Sequence, residues 1–208
     1  MSLPDKYEDE EVLCIPVRHL YSRVGQWRGL KMPTSDLWQA IARHSTFKSR
    51  AVVETDPSFK QLISYTLFLS RKQIFVMKRL NTQTETRLQG LLSVGVGGHM
   101  NPIDDIPWPG RRLISDLKTI VGLNTMREIR EEVILCGNPS LSIIGFINDD
   151  ANDVGSVHLG IASVVQLPSP ILAVREKDKM MGSWIELSKA PTLEPLETWS
   201  SLILANMT

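Results

Sequence analysis

The sequence predicts an α/β fold in which one mixed sheet carries helices on both faces. Three observations predict it. Runs rich in β-branched and aromatic residues recur along the chain, stretches with apolar residues at helical spacing interleave with them, and short polar connections join neighbouring strands as hairpins.

In chain order, "EEVLCIPV" at 10–17 is a short strand. "PTSDLWQAIARH" at 33–44 is a helix that starts at Thr34 or Ser35 and sets Leu37, Ala40 and Ile41 at helical spacing. "RAVVE", "KQLISYTLFLS" and "KQIFVMKRL" follow as strands, the last two joined through "SRK" as a hairpin, and "GLLSVGVGG" continues the sheet. A glutamate-rich helix comes next. "LSIIGFIN", "SVHLGIASVVQL" and "MMGSWIEL" are further strands, and a helix within "LEPLETWSSLILANM" closes the pattern. No repeat, low-complexity tract or Gly/Ser linker marks a boundary, so residues 1–208 are expected to form one domain with 1–55 as an N-terminal extension packed on it.

Charge narrows the function. Lys+Arg and Asp+Glu each number 23, so no broad field draws the chain to a nucleic acid polymer or an anionic membrane, and any phosphate recognition must be local. Cys14 and Cys136 are too few for a disulfide framework and lack zinc-type spacing; a single bridge is all they allow. The acidic start has no basic-then-apolar signal pattern, and no apolar run reaches the ~20 residues a bilayer requires. The expected location is cytoplasmic.

The chemistry concentrates in "MREIREEVIL". Glu128, Glu131 and Glu132 fall three and four apart on one helix face, opposite a core-facing stripe of Met126, Ile129 and Val133. Arg127 can pair with Glu131, which leaves Glu128 and Glu132 as a like-charge pair that costs the bare helix a few tenths of a kcal/mol, roughly. A divalent cation turns that repulsion into a site, since Mg²⁺ takes one or two carboxylates together with waters and substrate phosphate oxygens. The plain alternative is a solvated charged face. The strand ending in Gly97 and Gly98 adds weight to the site, although Gly-Gly also serves as a bulge or turn.

At these residues the sequence resembles the Nudix hydrolases, whose signature is G-x5-E-x7-R-E-U-x-E-E-x-G-U with U aliphatic. Arg127, Glu128, Ile129, Glu131, Glu132 and Leu135 match its second half, and Gly97 and Gly98 look like the glycines that open it. The segments "SVGVGGHMNP", "GFINDDANDVGSVHLGIASVV" and "LETWS" resemble a subgroup described as phosphoesterases. The resemblance implies a Nudix-like α/β/α sandwich and covers most of the chain from "DPSFKQLISY" onward. Three departures stand out. Gly98 lies 127 − 98 = 29 positions before Arg127 against 14 in the signature, which places an insertion at about 101–118 that lengthens the helix or adds a loop. No glutamate lies between Gly98 and Glu128; Asp104, Asp105 and Asp116 are the available stand-ins, none at the signature's spacing. Ile134 occupies the place of the late glycine.

The resemblance implies a Mg²⁺-dependent (or Mn²⁺-dependent) hydrolase that cleaves the pyrophosphate bond of a nucleoside diphosphate linked to another moiety. By it, Glu128 and Glu132 are metal ligands completed by the Gly97 carbonyl, Glu128 or Glu131 helps polarise the attacking water, and Gly98 and Arg127 are structural, Arg127 paired to a carboxylate. Asp149, Asp150 and Asp153 are candidates for a further carboxylate, although such clusters are first of all turn formers. His99 is a candidate phosphate contact or a satisfied strand-end residue, His158 reads as structural, and Trp108 in the insertion lines a substrate site or anchors a loop. A catalytically impaired Nudix-fold module for ligand binding or regulation is the alternative, favoured by the missing glutamate and Ile134. Isopentenyl diphosphate isomerase shares the fold, but no cysteine with matching surroundings is evident. Dimers are common in the family, so the N-terminal strand and helix are candidates for a homodimer interface.

Overall fold

Val12, Leu13, Cys14 and Ile15 are fully buried in β1 (Glu11–Pro16), because this strand is taken up by the sheet on both edges. It pairs antiparallel with β3 (Thr46–Ser49) and with β4 (Phe59–Ser70). The computed structural model describes residues 10–80, 90–104, 114–135, 139–175, 177 and 180–207. Their order continues through α1 (Val17–Val24), β2 (Gly29–Lys31), α2 (Ser35–His44), α3 (Arg50–Val53), β5 (Gln73–Arg79), β6 (Leu92–Ser93), β7 (Gly95–Val96), α4 (Ile114–Glu132), β8 (Val133–Ile134), β9 (Leu141–Asn148), α5 (Asp153–Ser156), β10 (His158–Leu167), β11 (Ala173–Val174), β12 (Met180–Glu186) and α6 (Thr198–Leu204).

Ten strands form one sheet whose main path runs β12-β5-β4-β10-β9-β2. The pairing of β4 with β10 is parallel, from Gln61 beside His158 to Ser70 beside Leu167, and the neighbouring pairings are antiparallel. The sheet is therefore mixed, as expected. Arg71 turns β4 into β5 with φ of 54°, a left-handed conformation that is uncommon outside glycine.

Alternation along β4 sends side chains to two faces. Leu62 joins Leu13, Ile15, Phe146 and Leu159 under α1, α2 and the first half of α4, which contributes Leu117, Ile120 and Val121. Phe68 extends this face toward the end of α4, where Ile129 and Val133 pack with Phe75 and Val165. Tyr65 and Leu67 point the other way, onto Ile203 and Leu204 of α6 and the 3-10 segment Leu187–Thr192. Both faces of the sheet are thus covered by helical layers.

Several elements differ from expectation. "RAVVE" is the single turn α3 rather than a strand: β3 just before it takes the edge of β1, Arg50 pairs with Glu54 at 3.1 Å across the turn, and Val53 is buried against Val12 and Cys14. The closing helix is short because Leu196 lies beside Leu92 as an extra bridge, with Leu92 N donating to Pro195 O and Glu197 N to Leu92 O. The helix that carries Arg127 and the glutamates spans 19 residues; residues 105–113, with Asp105 and Trp108, lie outside the described residues, as does Cys136. The helix over 35–44 begins as expected, with Leu37 N donating to Thr34 Oγ1 at 3.3 Å. Among the described residues no helix is long and apolar enough to cross a membrane.

Candidate active site

Two glycines bring α4 onto the sheet. A Cβ on Gly97 would lie 1.6 Å from the Ser64 carbonyl oxygen in β4, and one on Gly98 would lie 2.5 Å from the Glu128 carboxyl. Only glycine lets the strand end approach so closely. Ser64 N donates to Gly98 O at 3.1 Å and Met100 N to Leu62 O at 3.2 Å, so the segment carrying both glycines stays bound to β4. The Glu128 carboxyl therefore rests on the Gly98 backbone.

Arg127 organises the surrounding polar groups. Its Nε and Nη2 donate to the two oxygens of Asp104 at 3.1 and 3.0 Å, a fork that fits a carboxylate. Nη2 also donates to the His99 carbonyl and to Asn101 Oδ1, while Nη1 faces Glu128 at 2.8 Å and Glu131 at 3.5 Å. The hydrogen bonds to Asp104 hold its pKa further above the usual arginine range against the opposing burial, with help from the charges of Glu128 and Glu131. Asn124 supports the same knot through Nδ2, which donates to the His99 carbonyl and to Asp104.

Of the three stand-ins for the missing glutamate, Asp104 is the one that Arg127 holds. The expectation that it lies at the wrong spacing needs correction. Counted forward from Gly98, Asp104 holds the G-x5-acid position, and the insertion falls after it. Counting back from Arg127 across the insertion hides this. Asp116 stands in the first turn of α4, far along the helix from Arg127.

The three glutamates differ in setting. Glu128 is buried, Glu132 is half-buried, and the Glu131 side chain is 57% exposed. Burial pushes the Glu128 carboxyl up to about 7; Arg127 opposes this, and Glu131, Glu132 and Asp104 add to it. One guanidinium shared among several carboxylates does not neutralise a buried acid. Such a carboxyl has reason to accept a cation, so Glu128 fits the hard-oxygen chemistry of Mg²⁺. The three do not converge on one point, however. Among the described residues, the group of three whose ligand atoms lie within 4.8 Å of one another is Glu54, His99 and His158. Ile134 is extended in β8, where it pairs with Ala173, so the helix runs into a strand where the signature has its late glycine.

Asp149 and Asp150 are committed elsewhere. Asp149 is fully buried and accepts from Arg28 Nε at 2.8 Å, Asn152 Nδ2 at 2.9 Å and Ala151 N at 3.2 Å. Asp150 binds the buried Lys60 ammonium and accepts from Tyr21 at 2.7 Å, Gln26 at 2.8 Å and Asn148 at 3.1 Å. Burial opposes its ionisation, but these donors hold its pKa below the usual range. The two aspartates lock the β9–β10 connection onto the N-terminal segment. Asp153 begins α5, with Asn152 capping it. His99 turns its ring toward His158, Nε2 to Nε2 at 3.2 Å, and offers its backbone carbonyl to Arg127.

A second buried network was not foreseen from the sequence. Tyr65 O–H donates to Glu197, whose Oε1 also accepts from Ser93 at 2.7 Å and Ser200 at 3.0 Å. It fastens α6 to the sheet face opposite α4.

The layered mixed sheet, with α4 set against a Gly-Gly strand end, is the Nudix fold. Tm1382, a candidate Nudix hydrolase, superposes with a TM-score of 0.76 over 95% of this chain and 98% of its own, at 24% identity. The Nudix domain of Shewanella oneidensis NrtR, solved with ADP ribose, gives 0.51 over 71% of this chain and 87% of its own, at 11% identity. No protein-family model matches. In sequence the chain is 37% identical over 161 residues to protein YmaB of Bacillus subtilis, covering 74% of each. The chain belongs to the family of protein YmaB and has the Nudix fold.

Proposed function

We propose that this protein is a hydrolase that uses Mg²⁺ or Mn²⁺ to cleave the pyrophosphate bond of a nucleoside diphosphate linked to another moiety. The observation that carries this reading is the Glu128 carboxyl, buried against Gly98 and pushed up to about 7 among like charges. Glu128 and Glu132 would hold the metal with the Gly97 carbonyl, and Glu128 or Glu131 would orient the attacking water. Bound divalent metal neutralises phosphate oxygens and supplies a nucleophilic water. Arg127 would hold no phosphate: its donors are spent on Asp104, Asn101, the His99 carbonyl and the α4 glutamates. A nucleoside diphosphate ligand draws support from the ADP ribose bound by the NrtR domain of the same fold. We further propose one domain over 1–208, acting in the cytoplasm.

The test is hydrolysis of nucleotide sugars, dinucleotides and nucleoside triphosphates with Mg²⁺ or Mn²⁺, beside Glu132→Gln. Turnover should fall by ~10²–10⁴ in the variant, the usual contribution of one well-placed general base or comparable group. One observation favours a binding or regulatory module instead, namely that Arg127 already engages Glu128 at 2.8 Å. Tight ADP ribose binding without hydrolysis under any metal would establish that second reading.

A further inference from the structure

Away from the α4 carboxylates, three segments distant in sequence bring nitrogen and oxygen donors together. Glu54 caps the C-terminal end of α3, His99 follows Gly98, and His158 opens β10. Their ligand atoms lie within 4.8 Å of one another. The two imidazole Nε2 atoms are 3.2 Å apart and the ring centroids 5.2 Å, at 63°. Two nitrogens each ~2.0–2.1 Å from a shared zinc ion are separated by about 3.0 Å at octahedral and 3.4 Å at tetrahedral angles. The observed spacing falls between these limits.

The tautomer is set for ligation. His158 Nδ1 lies 2.6 Å from the Val154 carbonyl and donates to it, which leaves the Nε2 lone pair of a neutral ring facing the cluster. Neutral imidazole is the ligating form. Arg50 pairs with Glu54 at 3.1 Å and with Glu10 at 2.9 Å, which ties this corner to the N-terminal segment. Gln61 is fully buried beside the cluster, in register with His158; its Nε2 lies 3.3 Å from Glu54, and its Oε1 has no hydrogen-bond partner among the described residues. A buried amide oxygen next to a ligand set is a natural acceptor for a metal-bound water.

We propose that His99 Nε2, His158 Nε2 and the Glu54 carboxylate bind a divalent transition metal of the zinc class, at a site separate from the Mg²⁺ site proposed on α4. Two imidazoles favour Zn²⁺ or Co²⁺ over Mg²⁺, which prefers oxygen throughout. The ion ties the N-terminal segment to the strand end that carries Gly97 and Gly98. It stabilises the platform on which Glu128 rests and takes no part in the proposed hydrolysis.

Co²⁺ titration of metal-stripped full-length protein, read by visible absorption and by thermal melting, tests this. One equivalent should give d–d bands that Zn²⁺ abolishes and excess Mg²⁺ leaves intact, together with a raised melting temperature. In His158→Gln and His99→Gln, affinity should fall by more than the roughly 10–100-fold that loss of an outer partner costs. Glu132→Gln should keep the bands, which separates this site from the α4 carboxylates. Absence of Co²⁺ and Zn²⁺ binding by the wild type overturns the proposal without reference to any variant. So does binding that survives both histidine substitutions, or that Glu132→Gln abolishes.

Discussion

Glu128 carries an electrostatic cost that the folded chain bears and the unfolded chain does not. Its carboxyl titrates near 4.5 when unperturbed and at about 7 in the fold, so between those values the folded chain binds more protons. Stability must then fall as pH rises through this window and level off above it. Each tenfold change in proton affinity is worth ~1.4 kcal/mol, so the loss comes to about 3–4 kcal/mol. Urea unfolding in EDTA at pH 5 and pH 8 should show this slope in the wild type and a flatter profile in Glu128→Gln, which keeps the shape and removes the charge. The variant should be the more stable of the two at pH 8. Equal slopes would mean that Arg127 compensates Glu128 fully. Mg²⁺ at pH 8 should stabilise the wild type and not the variant. At this scale the sequence was partly readable. The Arg127 and glutamate pattern was explicit, but burial splits three similar residues into a buried acid, a half-buried one and an exposed one. Asn124 could have been noticed as a polar interruption of the Leu117, Ile120, Val121 stripe. Nothing local joins Glu54, His99 and His158, which meet only through the sheet.

Among the elements, the strand end at 97–98 is the most demanding. Alanine at Gly97 meets the backbone of β4, whereas alanine at Gly98 meets the end of a glutamate side chain, which can turn away. Gly97→Ala should therefore cost more stability than Gly98→Ala, which is expected to lose about 1–3 kcal/mol, the range for overpacking. Denaturant melts of both variants decide the order. Gly98→Ala should also shift the titration of Glu128, since it displaces that carboxyl. Most long elements were legible because their periodicity was long enough to read: β4, β5, β9, β10, β12 and α2 all stand where the pattern puts them. The misreadings are short. A four-residue apolar run such as that of α3 carries no period, and its fate was decided by β3 holding the edge of β1. Strands of two or three residues, among them β2, β8 and β11, owe their conformation to partners distant in sequence.

For the molecule as a whole, the N-terminal segment is built into the sheet. β1 lies against β4, β2 extends the far side of β9, and Arg28 and Tyr21 hold Asp149 and Asp150. A chain beginning at residue 56 loses all of these, together with the layer that α1 and α2 lay over the core. It should show no cooperative unfolding transition, whereas retention of one would make 1–55 a true appendage and reject the one-domain proposal. The parallel pairing of β4 with β10 also has a consequence for how the chain is made. One edge of β4 can be filled early, by β1, β7 and β5, but its other edge must wait for His158 to Leu167. During synthesis, then, an apolar strand stands half-paired while the ribosome adds everything from β5 to β10. Through that interval another nascent chain can add to the open edge as readily as β10 later will, so speed of elongation and chaperone cover over this stretch govern the yield of folded protein.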